Sequence, residues 1–387
     1  MRIHHIVRLA PVIAFLSAAS LPAQGVAKYF PPKGEWKTVR AADVGMDSAK
    51  LQAAVDFALA APATWDFERD QVRTFGTPLG PLPKTRAGTN GIILRNGYIV
   101  AQFGDINASD PVYSVAKSFL STVAGVASDR GLIRNVDDPV ANYIKDGGYD
   151  SEQNRAVTWK HHLQQTSEWE GSMFGKNSDF IGAEQFGNGQ RRPRAIQKPG
   201  TFYEYNDVRI NRFSLSLARL FGTSVPDVLK TAIMDPIGAS SEWRWIPYDN
   251  SQVEINGKTV GSVSGGTRWG GGLWINSLDL ARFGLLALNK GKWDNRQIVS
   301  SKWFVAALTP SGVNGAGTAP TDYGYLWWLN TRKNQWPSAP ATSYAAIGNG
   351  SNTIWIDPEH DIVLVWHWHR GNAMDGMIQR IMDSVVR

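Results

Sequence analysis

Ser114 and Lys117 form the one Ser-x-x-Lys pair in this 387-residue sequence. They stand at the start of a long apolar run with helical periodicity, and three residues in a helix is about one turn. Both side chains therefore share one face, where a lysine amine can take the proton of a serine hydroxyl. The free N–H groups of a helix start can also stabilise an oxyanion. The pattern equally fits a structural role, in which Ser114 caps its helix and the Lys117 side chain is solvated.

The elements that must position this pair follow from turn signals and periodicity. Asn-Gly pairs between β-rich runs predict hairpins at 91–103 and 253–260, and a Pro-containing turn predicts another at 353–366. Apolar residues at helical spacing predict the following helices. These helices are 47–60, 114–130, 158–165, 208–221, 225–233, 277–289, 300–308 and 374–386.

This order of elements lacks the alternation of strands and helices that parallel sheets require. We therefore expect an α/β protein of the α+β type, with an antiparallel sheet built from both chain ends, flanked by helices. A mostly helical region is inserted between the two ends. The predicted sheet lobe comprises about 40–112 and 265–387, and the helical lobe about 113–264.

Composition excludes several kinds of site. A hydrophobic content of 43% and a charged content of 19% indicate a globular protein. The absence of cysteine excludes thiolate nucleophiles and thiolate metal ligands. The net charge of +6 is scattered along the chain, so we expect no nucleic acid partner. The histidine pairs lack a third ligand, so we expect no metal and no cofactor.

Residues 1–23 have the pattern of a signal peptide, with a basic start, a short apolar run and a small residue before a polar one. The apolar run falls short of the ~20 residues that span a bilayer. We expect cleavage near Ala23, a mature domain of 24–387, a periplasmic or secreted location and no stable membrane insertion. The sequence leaves the oligomeric state open.

Several later stretches make a family resemblance specific. Residues 114–117 resemble the first motif of the serine β-lactamase and penicillin-recognising fold, and residues 199–207 resemble the segment with its Tyr-x-Asn element. The glycine-rich strip 261–272 and the final hairpin are similar to the branch of class C enzymes, family VIII carboxylesterases and 6-aminohexanoate-dimer hydrolases. The likeness runs from about Asp43 to the end of the chain.

The resemblance implies acyl transfer, with Ser114 as nucleophile and Lys117 and Tyr205 as proton carriers. Which of the two carriers is the base stays open. The second Tyr-x-Asn match, Tyr248-Asp249-Asn250, lacks the Pro-Gly lead and the following helix, so we favour Tyr205. The implied oxyanion hole consists of the N–H groups of Ser114 and Ser351. The candidate substrate-binding residues are Trp169, Gly348, Asn349 and Gly350. For Trp169 the alternative role is loop packing.

The sequence departs from the family pattern at two motifs. Asp207 stands where the second motif has Asn, and we expect Asp207 and Arg209 to pair structurally rather than touch substrate. The third motif, Gly348–Gly350, has no cation, which disfavours carboxylate-bearing β-lactams and peptides and favours simple esters or amides. The predicted function is an exported serine hydrolase acting on a small-molecule ester or amide. The alternatives are a β-lactamase or D,D-peptidase and a non-catalytic binding or sensing module.

Overall fold

The computed structural model describes residues 26–179, 194–315 and 322–386. The predicted signal peptide lies outside the described residues. Within them the strands, in chain order, have the following bounds. They are β1 Asn90–Arg95, β2 Tyr98–Phe103, β3 Asp110–Pro111, β4 Ser172–Met173, β5 Lys176–Asn177, β6 Arg244–Ile246, β7 Gln252–Ile255, β8 Lys258–Gly261, β9 Gly272–Ile275, β10 Lys292–Trp293, β11 Arg296–Gln297, β12 Trp328–Leu329, β13 Tyr344–Gly348, β14 Asn352–Asp357 and β15 Ile362–His367.

The helices of the described residues agree with most of the predicted positions, and several of them begin at polar caps. The Asp47 side chain accepts from the N–H groups of Ala49 and Lys50, and Asn206 caps its helix in the same way. The helices are α1 Ser48–Leu59, α2 Val72–Phe75, α3 Ala116–Asp129, α4 Glu152–Arg155, α5 Trp159–Leu163, α6 Asp207–Phe221, α7 Val225–Leu229, α8 Ser277–Leu288, α9 Ser301–Ala307 and α10 Met374–Ser384.

The main sheet confirms the expected fold class. Its six strands run in the order β12-β13-β14-β15-β1-β2, so strands from both chain ends meet in one sheet. All the pairings in it are antiparallel, and Asn90 of β1 pairs with His367 of β15. A smaller sheet has the strand order β3-β9-β6. Its strand β3 directly precedes the turn that carries Ser114.

Both faces of the main sheet are covered by helices. Successive side chains of a strand point to opposite faces, and in β15 Val363 and Val365 join the hydrophobic cluster that includes α8. Leu364 and Trp366 join the second cluster, with α1 and α10. Gly284 of α8 lets the helix approach closely, because a Cβ there would lie 2.6 Å from Val363 Cγ1. No helix of the described residues is long and apolar enough to cross a membrane.

The helical region between the chain ends packs around α3. Almost every residue of α3 is buried, including the polar Lys117, Ser118 and Ser121. The helices α6, α7 and α9 contact α3, and α6 begins beside its N-terminal end through Asp207. A buried helix that carries a lysine needs partners for the charge, and these partners form the candidate site.

Candidate active site

Ser114 lies in a 3₁₀ turn, Tyr113–Val115, that leads directly into α3. No side chain caps this turn or the helix, so the alternative role of Ser114 as a helix cap is wrong. Tyr113 has a φ of 51°, a left-handed conformation that is uncommon for a bulky residue. The turn is also tied to the small sheet, because the Val112 N–H donates to the Leu273 carbonyl at 2.9 Å. The nucleophile candidate thus sits on a rigid, strained connection.

Lys117 is buried and points at Ser114. Its side chain is 1% exposed, so the alternative of a solvated lysine is wrong. Nζ lies 2.8 Å from Ser114 Oγ, 2.5 Å from Asp207 Oδ1 and 3.1 Å from the Gly265 carbonyl oxygen. Burial lowers the pKa of Lys117, and the Asp207 carboxylate acts in the opposite direction.

Tyr205 adjoins the same pair of residues. Its phenol lies beside the Ser114 side chain, and Lys117 Nζ lies 4.8 Å from the centre of its ring. Stacking on Trp328, with ring centres 5.7 Å apart, holds the ring from the other side. Burial and the Asp207 charge raise the pKa of Tyr205 far above its ordinary value, so the phenol is neutral and can donate a proton.

Asp207 belongs to the site, which the sequence interpretation did not anticipate. Instead of pairing with Arg209, it contacts Lys117 at 2.5 Å and Arg268 NH1 at 3.4 Å. Burial alone would raise the pKa of Asp207, but Lys117 and Arg268 outweigh burial and hold that pKa below its ordinary value. The carboxylate is therefore charged at neutral pH. Its position two residues after Tyr205, in the second motif, is the sequence feature that could have identified Asp207 as a residue of the site.

Arg209 stabilises the Tyr205 segment from the far side of α6. It forms ion pairs with Glu168 at 2.5 Å and with Glu204 at 3.0 Å, and Arg194 pairs with the same two carboxylates. Glu168 is completely buried. Because Glu204 directly precedes Tyr205, this four-residue cluster fixes the backbone that carries the phenol.

The glycine-rich strip before β9 covers the nucleophile. A Cβ at Gly266 would lie 3.4 Å from Ser114 Oγ, and a Cβ at Gly265 would lie 2.3 Å from Ile210 Cγ2. Gly265 also supplies the carbonyl that Lys117 contacts. A side chain at Gly265 would therefore displace Ile210, whereas Gly266 only borders the nucleophile. The strip also contains Arg268, the partner of Asp207.

The end of β13 reaches the Ser114 turn at Gly348. A Cβ at Gly348 would lie 3.0 Å from the Ser114 nitrogen and 2.0 Å from the Val112 carbonyl oxygen. Burial raises the pKa of the Tyr113 phenol, and the neighbouring Asn349 side chain acts in the opposite direction. The structure thus brings Gly348 and Asn349, two of the predicted substrate-binding residues, to the turn that carries the nucleophile.

The other two residues of this turn have different neighbours. A Cβ at Gly350 would lie 2.3 Å from the Trp368 ring, and Ser351 Oγ lies beside Gly371. Ser351 has a φ of 58°, in the turn between β13 and β14. No contact with Ser114 is recorded for Gly350 or Ser351 in the described residues, so their predicted roles stay predictions.

Trp169 has contacts that fit its alternative role of loop packing, and its role in substrate binding stays a prediction. It is 3% exposed, and its indole N–H donates to the Gly148 carbonyl at 2.7 Å. The second Tyr-x-Asn match also has structural roles: Tyr248 is buried, and the Asn250 side chain donates to the Phe174 carbonyl. Within the described residues, no group of three or more histidine, aspartate or glutamate side chains is arranged to hold a metal.

Comparisons with known proteins agree on one family. The model of the Beta-lactamase family matches residues 111–382. A 6-aminohexanoate-dimer hydrolase of Paenarthrobacter ureafaciens is 24% identical over 342 residues, 76% of this chain and 78% of that protein.

Solved structures show the same fold. A putative β-lactamase from Bacteroides dorei superposes with a TM-score of 0.58 at 16% identity, covering 78% of this chain and 94% of its own. EstCE1, a hydrolase with promiscuous acyltransferase activity, superposes with a TM-score of 0.56 at 14% identity, covering 88% and 98%.

Proposed function

Because the chain belongs to the β-lactamase family, we propose that this hydrolase cleaves ester or amide bonds through an acyl-enzyme on Ser114. The observation that carries the proposal is the buried Lys117 Nζ 2.8 Å from Ser114 Oγ, with the Tyr205 phenol beside the same hydroxyl. A nucleophile within hydrogen-bond reach of a base, itself held by a third group, is the arrangement that covalent catalysis needs. A purely binding or sensing module would not need this costly buried lysine.

The proposed reaction divides the roles among three side chains. Ser114 attacks the substrate carbonyl, and Lys117 and Tyr205 carry its proton to the leaving group. The Tyr205 phenol is neutral at working pH, which suits proton donation to an alkoxide or amine leaving group. Water then hydrolyses the acyl-enzyme with the same groups acting in reverse.

We propose that the oxyanion hole combines the Ser114 N–H with an N–H from the turn after β13. Ser351 is the donor inferred from the sequence. The contact of Gly348 with the Ser114 nitrogen favours the residue after Gly348, Asn349, as the alternative donor. Losing one such donor typically costs about 3 kcal/mol of transition-state stabilisation.

Esters and simple amides are the proposed substrates. The third motif, Gly348–Gly350, carries no cation to bind a substrate carboxylate, and Arg268, an arginine near Lys117, pairs with Asp207. The 6-aminohexanoate-dimer hydrolase relative is consistent with a linear amide. A β-lactamase or D,D-peptidase activity is the alternative, for which nitrocefin is the discriminating substrate.

Labelling with a fluorophosphonate probe tests the proposal. We expect wild type to be labelled and Ser114→Ala to be unlabelled. Ser121→Ala is the matched control, because Ser121 lies on the same helix, is fully buried and its hydroxyl has no hydrogen-bond partner among the described residues. Label on Ser114→Ala, or none on wild type, would overturn the proposal. A panel of p-nitrophenyl esters, short amide oligomers and nitrocefin then identifies the substrate class.

We also propose export through removal of residues 1–23. The measurement is the N-terminal sequence of the protein recovered from the periplasm or medium of an expressing bacterium. Protein that keeps Met1 and stays in the cytoplasm would contradict it.

A further inference from the structure

Lys117 Nζ has three recorded neighbours that can accept its hydrogens, and two of them can only accept. The Asp207 carboxylate lies at 2.5 Å and the Gly265 carbonyl at 3.1 Å. The third neighbour, Ser114 Oγ at 2.8 Å, is a hydroxyl that can either donate or accept. This difference between the neighbours fixes where the lone pair of a neutral lysine points.

A neutral amine has two hydrogens and one lone pair. With its two hydrogens donated to Asp207 and Gly265, the lone pair faces the Ser114 hydroxyl. An ammonium has three hydrogens, which the same three neighbours accept. The surroundings of Nζ therefore suit the amine before proton transfer and the ammonium after it, without any side chain moving.

The Asp207 carboxylate is itself held in place. It lies at the first residue of α6, where free N–H groups and the helix dipole favour negative charge. Arg268 NH1 approaches the oxygen that faces away from Lys117, at 3.4 Å. The Arg268 guanidinium also stacks on Phe75 and Trp269, with distances of 5.2 and 5.1 Å to the ring centres. These contacts leave Oδ1 directed at the lysine.

The charged and titratable groups that face Lys117 Nζ come from three segments. They are Ser114 on its own element, Tyr205 and Asp207 at the start of α6, and Arg268 in the glycine-rich strip. Arg268 opposes the effect of Asp207 on the lysine, since a nearby positive charge disfavours an ammonium. Lys117 therefore lies between one charge that favours its protonation and one that disfavours it.

We propose that Asp207 is a positioning residue that directs the Lys117 lone pair at Ser114 and stabilises the ammonium formed when Lys117 takes the serine proton. Ser114, Lys117 and Asp207 then act as one relay, with Asp207 in the part that the aspartate has in a Ser-His-Asp triad. The inference rests on the proposed function and assigns the role of base to Lys117, which leaves Tyr205 as the acid for the leaving group.

The proton and electron balance of the step is simple. The Ser114 O–H bond breaks, its proton binds the Lys117 nitrogen, and Oγ forms a bond to the carbonyl carbon while the π pair moves to the carbonyl oxygen. When the tetrahedral intermediate collapses, the bond to the leaving group breaks and the Tyr205 phenol supplies a proton to that group. The Lys117 ammonium then returns the serine proton to the Tyr205 phenolate that it faces, which restores both groups, and Asp207 remains charged throughout.

The pH profile of kcat/KM tests the inference with Asp207→Asn and Arg268→Gln. The acidic limb of this profile reports loss of the proton from the base of the free enzyme. Asp207→Asn removes the charge that raises the pKa of Lys117, so this limb is expected to move to lower pH. The plateau of kcat/KM is expected to fall at least tenfold. Arg268→Gln removes a charge that lowers the pKa of Lys117, so the acidic limb is expected to move to higher pH. A purely structural role for Asp207 would lower the plateau and leave the limb in place.

Asp146→Asn is the matched control. Like Asp207, Asp146 pairs with an arginine, in this case Arg212 of α6 at 2.6 Å. The side chains of Asp146 and Asp207 are both 12% exposed. We expect the acidic limb of the kcat/KM profile of Asp146→Asn to coincide with that of wild type. Limbs that do not move in Asp207→Asn and Arg268→Gln would overturn the inference. If circular dichroism shows Asp207→Asn to be unfolded, the limb of Arg268→Gln decides alone, since that variant keeps Asp207.

Fluorophosphonate labelling separates this inference from the proposed function. If wild type is labelled at Ser114 but the limbs do not move, only the relay is wrong. If wild type is not labelled and does not hydrolyse p-nitrophenyl acetate, the proposed function is wrong, and the relay with it.

Discussion

The Tyr113 phenol donates a hydrogen bond to Gln71 Oε1 at 2.6 Å. Gln71 is fully buried, and its Nε2 donates to the carbonyls of Thr267 and Arg268, at 3.0 and 2.7 Å. One side chain thus joins the residue before the nucleophile to the glycine-rich strip that covers it. Because Tyr113 has a positive φ, the turn depends on such contacts to keep its shape.

Replacing Gln71 by Met, which has a similar volume and no amide, should loosen the nucleophile turn. Three buried polar groups would lose a partner, at a cost of about 1–3 kcal/mol for each unsatisfied group. We expect a lower midpoint of urea unfolding and a lower kcat on p-nitrophenyl acetate. Tyr113→Phe is the comparison, since it removes one of the three bonds and should have a smaller effect. Equal stability of Gln71→Met and wild type would contradict this role.

Gly348→Ala should block the approach of β13 to the nucleophile. The added Cβ would lie 2.0 Å from the Val112 carbonyl oxygen, so the strand end or the Ser114 turn must shift. A displacement of about 1 Å at a reacting group can cost on the order of 10²-fold in rate, and we expect a loss of that order in kcat.

Gly88→Ala is the control for the Gly348 variant, because a Cβ at Gly88 meets no atom within 4 Å. It should keep wild-type kcat. Full activity of Gly348→Ala would show that β13 does not border the reaction.

Local signals account for the parts of the fold that the sequence predicts well. The Asn-Gly turn at Asn96, which has a φ of 52°, and the Asp47 cap are each determined by a few neighbouring residues. Ser114, Lys117 and Tyr205 are identified by short motifs on predicted helices and at their starts. The structure brings these three together as expected.

The partners that come from distant segments could not be predicted in this way. Asp207 was expected to be structural, yet its partners Lys117 and Arg268 are 90 and 61 residues away in the chain. Gln71 has no local signal, since its role depends on where residues 113 and 267 meet in space. The sequence places Trp169 either in the cleft or in loop packing, and burial, a tertiary property, favours packing.

Buried histidines should make the protein less stable in mild acid. Burial lowers the pKa of His367 to about 3 and that of His369 to about 4, whereas a histidine in the unfolded chain titrates near pH 6.5. Below about pH 6.5 the unfolded state therefore binds protons that the native state does not. The free energy of unfolding should fall by up to about 1.4 kcal/mol per pH unit for each such histidine.

Urea unfolding at pH 7.5, 6.5 and 5.5 measures this loss. The His369→Gln variant should show a shallower fall than wild type between pH 6.5 and 5.5, because one of the titrating groups is gone. Parallel curves for the two proteins would exclude His369 as a source of the acid sensitivity.

The buried ion-pair cluster behind Tyr205 should contribute strongly to stability. Glu168→Gln removes a charge that is 0% exposed and leaves Arg194 and Arg209 with one carboxylate between them. Breaking a buried pair by removing one partner typically costs about 3–5 kcal/mol, and we expect a loss of about 3 kcal/mol in the free energy of unfolding.

The exposed pair Lys230–Asp235, at 2.6 Å and with side chains 52% and 44% exposed, provides the contrast for Glu168→Gln. Asp235→Asn should change stability by about 0–1 kcal/mol, because solvent screens an exposed pair. Glu168→Gln should also lower kcat more than Asp235→Asn does, since Glu204 of the same cluster adjoins Tyr205 in the chain. Similar unfolding curves for the two variants would mean that the cluster does not hold the Tyr205 segment.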